Sequence, residues 1–464
     1  MSNPPAGSAL WHVGSARRLI NPPPGVELAG LGYYLSRTWE RVRDDLTATA
    51  LIITDAQGQS VALAALDLLY NDATFTARIR ELASRQTGLR PEAICVNCSH
   101  THNAPTAGFI RGCGERHEPY LEFAARQTAA ALSEAWAKRE PARLFIGHGE
   151  LNGMTFNRAR EDGPTDNRIS VLRADSTAGR PLAVAVNFHS HCTAHMEMDL
   201  RAISRDWPGE VMDQVEAALP GACALYLQGT CGDVNFRREY NGTDRRFEPA
   251  RAVTRTVLAA LREARPITAP GVAAVTTTVT LPTRRWRREE VLRDREEGQH
   301  RLATGDTSGW LDGLARVCVN QPQRLPLRYG GSVSKAVAAI ARFGVEWTAD
   351  ILPKLESLPE TLAVEVQALR IGDVFIAAHP AELFASLGLD LRRRWPQKDL
   401  FVLGYANGSI GYLPDAAEIA RGGYAAIQSP KLSGQFPFTA DSGPALVNGL
   451  LAALEQTEKA RRAA

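Results

Sequence analysis

The chain lacks an excess of charge, long apolar runs and a recognisable export signal. Its 464 residues carry 53 basic and 51 acidic side chains, a net charge of +2, so no field that attracts nucleic acid or a membrane surface is expected. No stretch reaches the roughly 18 uninterrupted apolar residues of a membrane span, and the N-terminal sequence places no basic segment before an apolar run. These absences predict a cytoplasmic protein with no nucleic-acid or membrane partner.

Cysteines are also few. The seven present are an odd number, which argues against a disulfide framework. Cys95 and Cys98 form a CxxC motif, but the chain has no second copy to complete a structural zinc site. We therefore interpret these cysteines as small buried residues.

Strand and helix patterns alternate along the chain, and apolar residues make up 44% of it, enough for a large core. The alternation predicts an α/β fold of mixed β-sheets with outer helices, in one large domain over residues 1–464. The clearest predicted elements are a hairpin of strands 44–53 and 60–69, helices over 75–87 and 119–139, and buried strands over 182–191 and 222–228.

A charged stretch interrupts this alternation. Residues 284–299 mix both signs of charge, which is typical of a solvated helix face and not of a nucleic-acid patch. Ser332 and Lys335 match the SxxK pattern of serine acyl-enzymes, but the companion motifs are missing, so a helix N-cap is favoured for Ser332. We interpret residues 283–358 as an insertion or lid.

Histidines provide the strongest chemical signal. Four of the ten histidines form two pairs, His100 with His102 and His189 with His191, each at the end of an apolar run. On a strand, residues two apart point to one face, so each pair can serve one site. A pair of polar residues at a strand end is the structural alternative, but two such pairs favour a metal site, since neutral imidazole is a common zinc ligand.

Carboxylates add to this signal. Glu382 follows the predicted strand 374–378 at the start of a helix, a position that lines the ligand crevice of open α/β sheets. Asp67 interrupts an apolar strand, which predicts either support for a metal ligand or the cap of a loop. Strand 222–228 runs into the glycine-rich loop 229–235, another frequent site element.

Six ordered motifs resemble the neutral/alkaline non-lysosomal ceramidase family. They are Ser99-His100-Thr101-His102, residues 187–193, residues 204–209, Gly232-Asp233-Val234, Glu382-Leu383-Phe384, and Gly411-Tyr412 with Tyr424. The resemblance spans residues 13–425 and implies a fold like that of the family's catalytic domain. It also implies that zinc is held by His100, His191, Glu382 and Tyr412, with His102, Arg158 and Tyr424 around the reacting carbonyl. Tyr412 is a candidate from the resemblance alone.

The sequence departs from the family pattern in two places. Asn235 stands where the family's loop carries its active-site serine. An asparagine amide is not a nucleophile, although it can donate a hydrogen bond to an oxyanion, so the reaction is expected to depend on metal-bound water with His102 as proton shuttle. The chain also ends soon after the tyrosine motifs, so we expect no C-terminal immunoglobulin-like domain.

These inferences predict a zinc-dependent, amidase-like hydrolase that cleaves an amide bond of a small soluble substrate. Arg158 would bind a substrate carboxylate or the tetrahedral intermediate, with a structural ion pair as the alternative. An esterase or lactonase needs the same groups, a lyase or isomerase could use a zinc-polarised carbonyl, and the missing serine also allows a binding protein without turnover. A homo-oligomer is compatible with the sequence.

Overall fold

A computed structural model describes residues 10–311 and 322–463. Its strands are β1 (Trp11–Leu19), β2 (Arg41–Val42), β3 (Thr47–Thr54), β4 (Ser60–Leu66), β5 (Ile94–Cys98), β6 (Glu140–Glu150), β7 (Thr155–Asn157), β8 (Arg168–Ser176), β9 (Pro181–Phe188), β10 (Ala202–Ile203), β11 (Cys223–Gln228), β12 (Val234–Phe236), β13 (Arg265–Pro266), β14 (Val272–Pro282), β15 (Thr361–Ile371), β16 (Val374–Ala378), β17 (Glu382–Leu383), β18 (Leu400–Leu403) and β19 (Tyr412–Leu413).

The α-helices of the described ranges are α1 (Ala73–Thr87), α2 (Glu118–Ala137), α3 (Asp206–Ala218), α4 (Glu248–Arg262), α5 (Arg288–Thr304), α6 (Val333–Ile351), α7 (Ala385–Arg394), α8 (Ala416–Ala420), α9 (Tyr424–Ser433) and α10 (Ser442–Ala463). Two of the α-helices, α1 and α2, begin and end within two residues of the predicted ranges 75–87 and 119–139. None of these helices combines the length and apolar character that a membrane span requires.

Two mixed sheets form the centre of the molecule. The larger has the order β11-β9-β8-β6-β1-β3-β4-β5, with β13 added beside β6, and the smaller has the order β14-β15-β16-β18. The predicted hairpin is present as the antiparallel pair β3 and β4. Leu51, Leu63 and Leu144 of the larger sheet share one buried cluster with Ile376 and Phe401 of the smaller sheet. The two sheets therefore pack face to face.

Helices cover the outer faces of both sheets. Ile79 and Leu132 of helices α1 and α2 pack with Ile52 of β3, while Val211 of α3 packs with Val171 of β8 farther along the same sheet. Helix α10 covers the smaller sheet. Burial on both faces explains why these strands read as nearly continuous apolar runs, and the predicted α/β class of mixed sheets with outer helices is confirmed.

Parallel neighbours bring several strand ends together. Strand β4 is parallel to β5, β9 is parallel to β11, and β16 is parallel to β18. The loops that leave the carboxyl ends of these six strands carry most of the candidate site residues. Carboxyl ends of parallel strands are where ligands bind in α/β sheets, so the topology gathers the candidate residues at one crevice.

The described parts of residues 283–358, namely 283–311 and 322–358, pack beside that crevice. Trp286 and Trp347 share a buried cluster with Leu432 of helix α9, and the Lys431 ammonium pairs with Asp294 and lies 5.1 Å from the Trp347 ring centroid. Ser332 caps α6 by accepting the Lys335 backbone N–H at 3.2 Å, as predicted. The interpretation of residues 283–358 as an insertion or lid stays a prediction.

Candidate metal centre

The histidines of the site lie in loops that follow strands. Strand β5 ends at Cys98 and β9 ends at Phe188, so strand alternation does not orient either histidine pair, contrary to the sequence argument. Instead, His100 has a positive φ of 62°, a backbone conformation that is uncommon for residues other than glycine. A parallel bridge between Thr101 and Cys192 then brings the two loops side by side.

Three imidazoles converge through the same nitrogen. The ligand nitrogens of His100, His102 and His191 lie within 4.8 Å of one another, and Nε2 of His100 is 3.2 Å from Nε2 of His102. Each Nδ1 is paired with a backbone carbonyl, at 3.0 Å for Leu69, 2.9 Å for Gly30 and 2.6 Å for Cys231. This carbonyl contact fixes the Nδ1–H tautomer and turns the basic Nε2 inward, the usual arrangement of metal-binding histidines.

The remaining histidines of the segment point elsewhere. His189 Nδ1 accepts the backbone N–H of Thr230 at 2.9 Å, and its Nε2 lies 3.1 Å from Arg392. His195 lies 3.2 Å from Glu210. The second dipeptide-spaced pair therefore contributes one imidazole to the cluster, because the chain turns after β9 and separates His189 from His191.

Glu382 lies beside this cluster, in a short strand and not at the start of a helix. Strand β17 pairs in parallel with β19, and Glu382 is the register partner of Tyr412. Glu382 Oε2 lies 3.4 Å from His100 Nε2 and 3.3 Å from His191 Nε2. Tyr412 Oη lies 3.5 Å from the same nitrogen of His191.

These spacings fit a metal ion. Donor atoms about 2.0–2.1 Å from a tetrahedral zinc lie about 3.3–3.4 Å from one another, the separations that Glu382 makes with His100 and His191. The donor set of imidazole nitrogens, a carboxylate and a phenol oxygen suits zinc. His102 Nε2 lies at a similar distance, 3.2 Å, from His100 Nε2, so it is near enough to contact a metal or a group bound to the metal.

The pKa values of the donor groups favour the protonation states in which they can bind a metal. Desolvation lowers the pKa of His102 well below its usual value, and neighbouring imidazoles add to the effect. Burial and the Arg158 guanidinium lower the pKa of His191 to about 3. Burial alone would raise the pKa of Glu382, but its contacts with His100 and His191 hold that pKa well below the usual range. The His102 and His191 imidazoles are therefore neutral, and the Glu382 carboxylate is ionised, at pH 7.

Arg158 joins several parts of the site. Its Nη2 donates to the Gly232 carbonyl at 2.9 Å and to Tyr412 Oη at 2.5 Å, and lies 3.0 Å from His191 Nε2. Its Nη1 lies 3.3 Å from Asn235 Oδ1. Although burial opposes charge on the guanidinium, the neighbouring Tyr412 and Glu382 oxygens keep the pKa of Arg158 above its usual value. Arg158 therefore orients Tyr412 and offers positive charge at the cluster.

A small pocket of about 50 Å³ opens onto His100 and His102. Tyr424, at the start of helix α9, lines this pocket with its ring edge-on to Tyr412 at a centroid distance of 5.6 Å. The other lining residues are mainly hydroxyl-bearing or apolar: Gly30, Tyr70, Phe109, Ile110, Ser409, Gly411, Tyr412, Ser429, Leu432 and Ser433. The structure thus brings His100, His102, Arg158, His191, Asn235, Glu382, Tyr412 and Tyr424 to one region, and places His189 and Asp67 outside it.

Two tyrosines escaped the sequence argument. Tyr70 donates a hydrogen bond to Glu382 Oε1, and Tyr405 donates to Oε2 at 3.3 Å. Both hydroxyls are held far from ionisation, since burial and the Glu382 charge raise their pKa values well above the usual range. By contrast, Asp67 accepts from the Thr47 backbone N–H at 2.9 Å and from its hydroxyl at 2.7 Å, so it caps the hairpin.

Comparison with protein-family models and with curated protein sequences finds no match. Solved structures do match. A neutral ceramidase from Pseudomonas aeruginosa superposes with a TM-score of 0.72 at 17% identity, over 97% of this chain and 75% of that one. A ceramidase complexed with C2 superposes with a TM-score of 0.70 at 18% identity, over 97% and 76% of the two chains. The fold that the sequence motifs implied is thereby confirmed, and this chain has a ceramidase-like fold.

Proposed function

We propose that this protein is a zinc-dependent hydrolase that cleaves an amide bond of a small soluble substrate. The observation that carries the proposal is the convergence of three Nε2 atoms, each with its Nδ1 committed to a backbone carbonyl. The ionised Glu382 carboxylate beside two of them supports a divalent metal. The fold shared with the ceramidases supports amide cleavage as the reaction.

His100, His191, Glu382 and Tyr412 would hold the metal. Once bound, zinc supplies a Lewis acid that lowers the pKa of water to about 7 and polarises a carbonyl. Burial raises the pKa of Tyr412 well above its usual range, and the Arg158 guanidinium, 2.5 Å from the Tyr412 oxygen, acts in the opposite direction and favours the phenolate that a metal would bind. The His191 lone pair that Arg158 contacts at 3.0 Å would be given to the metal.

His102 would move the proton. Its Nδ1–H is committed to the Gly30 carbonyl at 2.9 Å, which leaves Nε2 as the basic nitrogen at the pocket. A neutral imidazole can take the proton of the attacking water and return it to the leaving nitrogen. Asn235 accepts from Arg158 through its amide oxygen, so its amide N–H groups remain the side-chain donors for an oxyanion, together with Tyr424.

The size of the pocket supports a small substrate. A volume of about 50 Å³ accommodates the reacting end of a small substrate, whereas a long acyl chain needs far more space. Ser409, Ser429 and Ser433 line the pocket and can offer hydroxyl groups to a polar substrate. We therefore expect negligible cleavage of long-chain ceramide.

A substrate panel tests this function. Purified protein loaded with zinc should hydrolyse N-acetyl amino acids faster than matched esters, lactones or a fluorescent long-chain ceramide. In ¹⁸O-labelled water the released acid should gain one labelled oxygen, which separates hydrolysis from a lyase or isomerase reaction. Efficient ceramide cleavage, or product without label, would overturn the proposal.

A further inference from the structure

Arg37 is a buried guanidinium in contact with neutral groups. Its side chain is 3% exposed, Nε donates to the Leu200 carbonyl at 3.0 Å, and Nη2 donates to the His102 carbonyl at 2.7 Å. Within residues 10–311 and 322–463, Nη1 meets no hydrogen-bond acceptor. A buried charge is costly unless an opposite charge and hydrogen bonds compensate it. Among the described residues this guanidinium has two carbonyl partners, no acceptor at Nη1 and no carboxylate in direct contact.

The surroundings of Arg37 increase its demand for an anion. Burial lowers its pKa to about 9, and the positive charges of Arg328 and Arg201 act in the same direction. Glu27 and the Cys113 thiol act in the opposite direction without restoring the usual value. The surroundings of Nη1 are therefore electropositive.

Arg80 shows how the same chain treats a comparable guanidinium. Arg80 is 9% exposed as a residue, and its Nε donates to the Ile94 carbonyl at 3.0 Å. Its two Nη atoms, however, bind both oxygens of Glu365 at 3.0 and 2.9 Å. Arg37, like Arg80, donates to backbone carbonyls. Unlike that of Arg80, its guanidinium has no carboxylate contact among the described residues.

The backbone that carries Arg37 is unusual. Tyr34 and Ser36 have positive φ values of 54° and 45°, which residues other than glycine adopt only at a cost in free energy. Tyr329, next to Arg328, donates its hydroxyl to the Tyr33 carbonyl at 2.6 Å. The loop is thus held in a costly shape that buries a cation against the main chain of His102.

We propose that Arg37 binds a small oxyanion, a carboxylate group or inorganic phosphate, through Nη1. A planar guanidinium recognises both oxyanions by charge-assisted hydrogen bonds, and the near-complete burial of Arg37 restricts the ligand to a small group. The anion comes either from a carboxylate of the substrate or from a separate free ion. Only the first source rests on the proposed hydrolase function.

Thermal unfolding of the full-length protein tests the anion site directly. Acetate or inorganic phosphate, compared with chloride at equal ionic strength, should raise the Tm of the wild type saturably, by about 1–2 °C at ten times the half-saturating concentration. The rise in Tm should vanish in Arg37→Met and shrink in Arg37→Lys. The lysine variant retains the positive charge and serves as the test if Arg37→Met does not fold. Arg80→Met, whose guanidinium already has a carboxylate, should keep the rise.

Two outcomes would overturn the site: no saturable rise in the wild type, or an equal rise in the Arg37 variants. If Arg37 were a structural clamp alone, Arg37→Met would lower Tm equally in chloride, acetate and phosphate. The proposed site instead predicts a gap between wild type and variant that widens as the oxyanion concentration increases.

Kinetics distinguish the source of the anion. Arg37→Lys should lower kcat/KM about tenfold for N-acetylglycine but not for the neutral N-acetylglycinamide if the substrate supplies the carboxylate. Equal effects on both substrates, with acetate binding intact in the wild type, assign the site to a free anion. If the wild type hydrolyses neither substrate, the result counts against the proposed hydrolase function. The anion site is then still tested by the change in Tm.

Discussion

Glu382 and Tyr412 are register partners in a two-strand parallel ladder, and both side chains reach the same nitrogen of His191. Glu382 Oε2 lies 3.3 Å and Tyr412 Oη 3.5 Å from His191 Nε2. The Glu382 backbone N–H also donates to the Gly411 carbonyl at 2.9 Å. The position of the carboxylate is therefore set by the main chain, and side-chain contacts adjust it.

Tyr70 is expected to be a positioning residue for Glu382. Tyr70→Phe removes the hydroxyl that donates to Glu382 Oε1 and should weaken zinc affinity by about tenfold, the lower end of the effect of losing a partner of a metal ligand. Competition with a chromophoric chelator measures the affinity. Tyr120→Phe removes an equally buried hydroxyl, bound to the Ile20 carbonyl at 2.7 Å, and should leave the affinity unchanged. Unaltered zinc affinity in Tyr70→Phe would refute the role.

His102 can be separated from the metal ligands by one substitution. His102→Ala should retain zinc yet lose about 10²-fold or more in kcat, the scale of a removed general acid or base. Zinc content and kcat are measured on the same preparation, with His100→Ala as the variant expected to lose both. Loss of zinc in His102→Ala would show that His102 belongs to the coordination sphere, as its 3.2 Å spacing from His100 also permits.

His379 should make stability depend on acid pH. It is fully buried, and burial lowers its pKa to about 3, with His189 adding to the shift. Because the unfolded chain binds a proton near pH 6.5 and the folded chain does not, the stability is fully present above pH 6.5 and is lost as the pH falls. At pH 5.0 the loss from this residue amounts to about 2 kcal/mol.

Denaturant unfolding at pH 7.5 and pH 5.0 checks this expectation. In His379→Gln or His379→Asn the decrease in unfolding free energy between the two pH values should be smaller by about 2 kcal/mol than in the wild type. The packing cost of each substitution is present at both pH values and cancels in the difference. The same decrease in wild type and both variants would contradict the assignment.

The sequence located the histidine cluster for a partly incorrect reason. Histidines are rare enough that two close pairs indicate a site, but strand alternation was expected to orient them. In the structure a positive φ at His100 and the bridge between Thr101 and Cys192 do so. These features depend on contacts between distant segments, which explains why His189 could not be separated from His191 in advance.

Tyrosines were the least predictable part of the site. Tyr412 became a candidate only through the family resemblance, and Tyr70 and Tyr405 gave no signal, because a tyrosine after a strand is usually a packing residue. Their roles arise when the carboxyl ends of β4 and β18 meet Glu382. The layered sheets and outer helices were more accessible, since continuous apolar runs specify buried strands locally.

Zinc content tests the central claim most directly. Elemental analysis should find about one zinc per chain in the wild type, as expected for a catalytic site. The control variant His148→Ala should hold the same amount, because His148 lies outside the cluster and contacts Asp399 at 2.7 Å. His100→Ala, His191→Ala and Glu382→Ala should each hold little or no zinc while remaining folded by circular dichroism. Full zinc occupancy in all three variants would contradict the account.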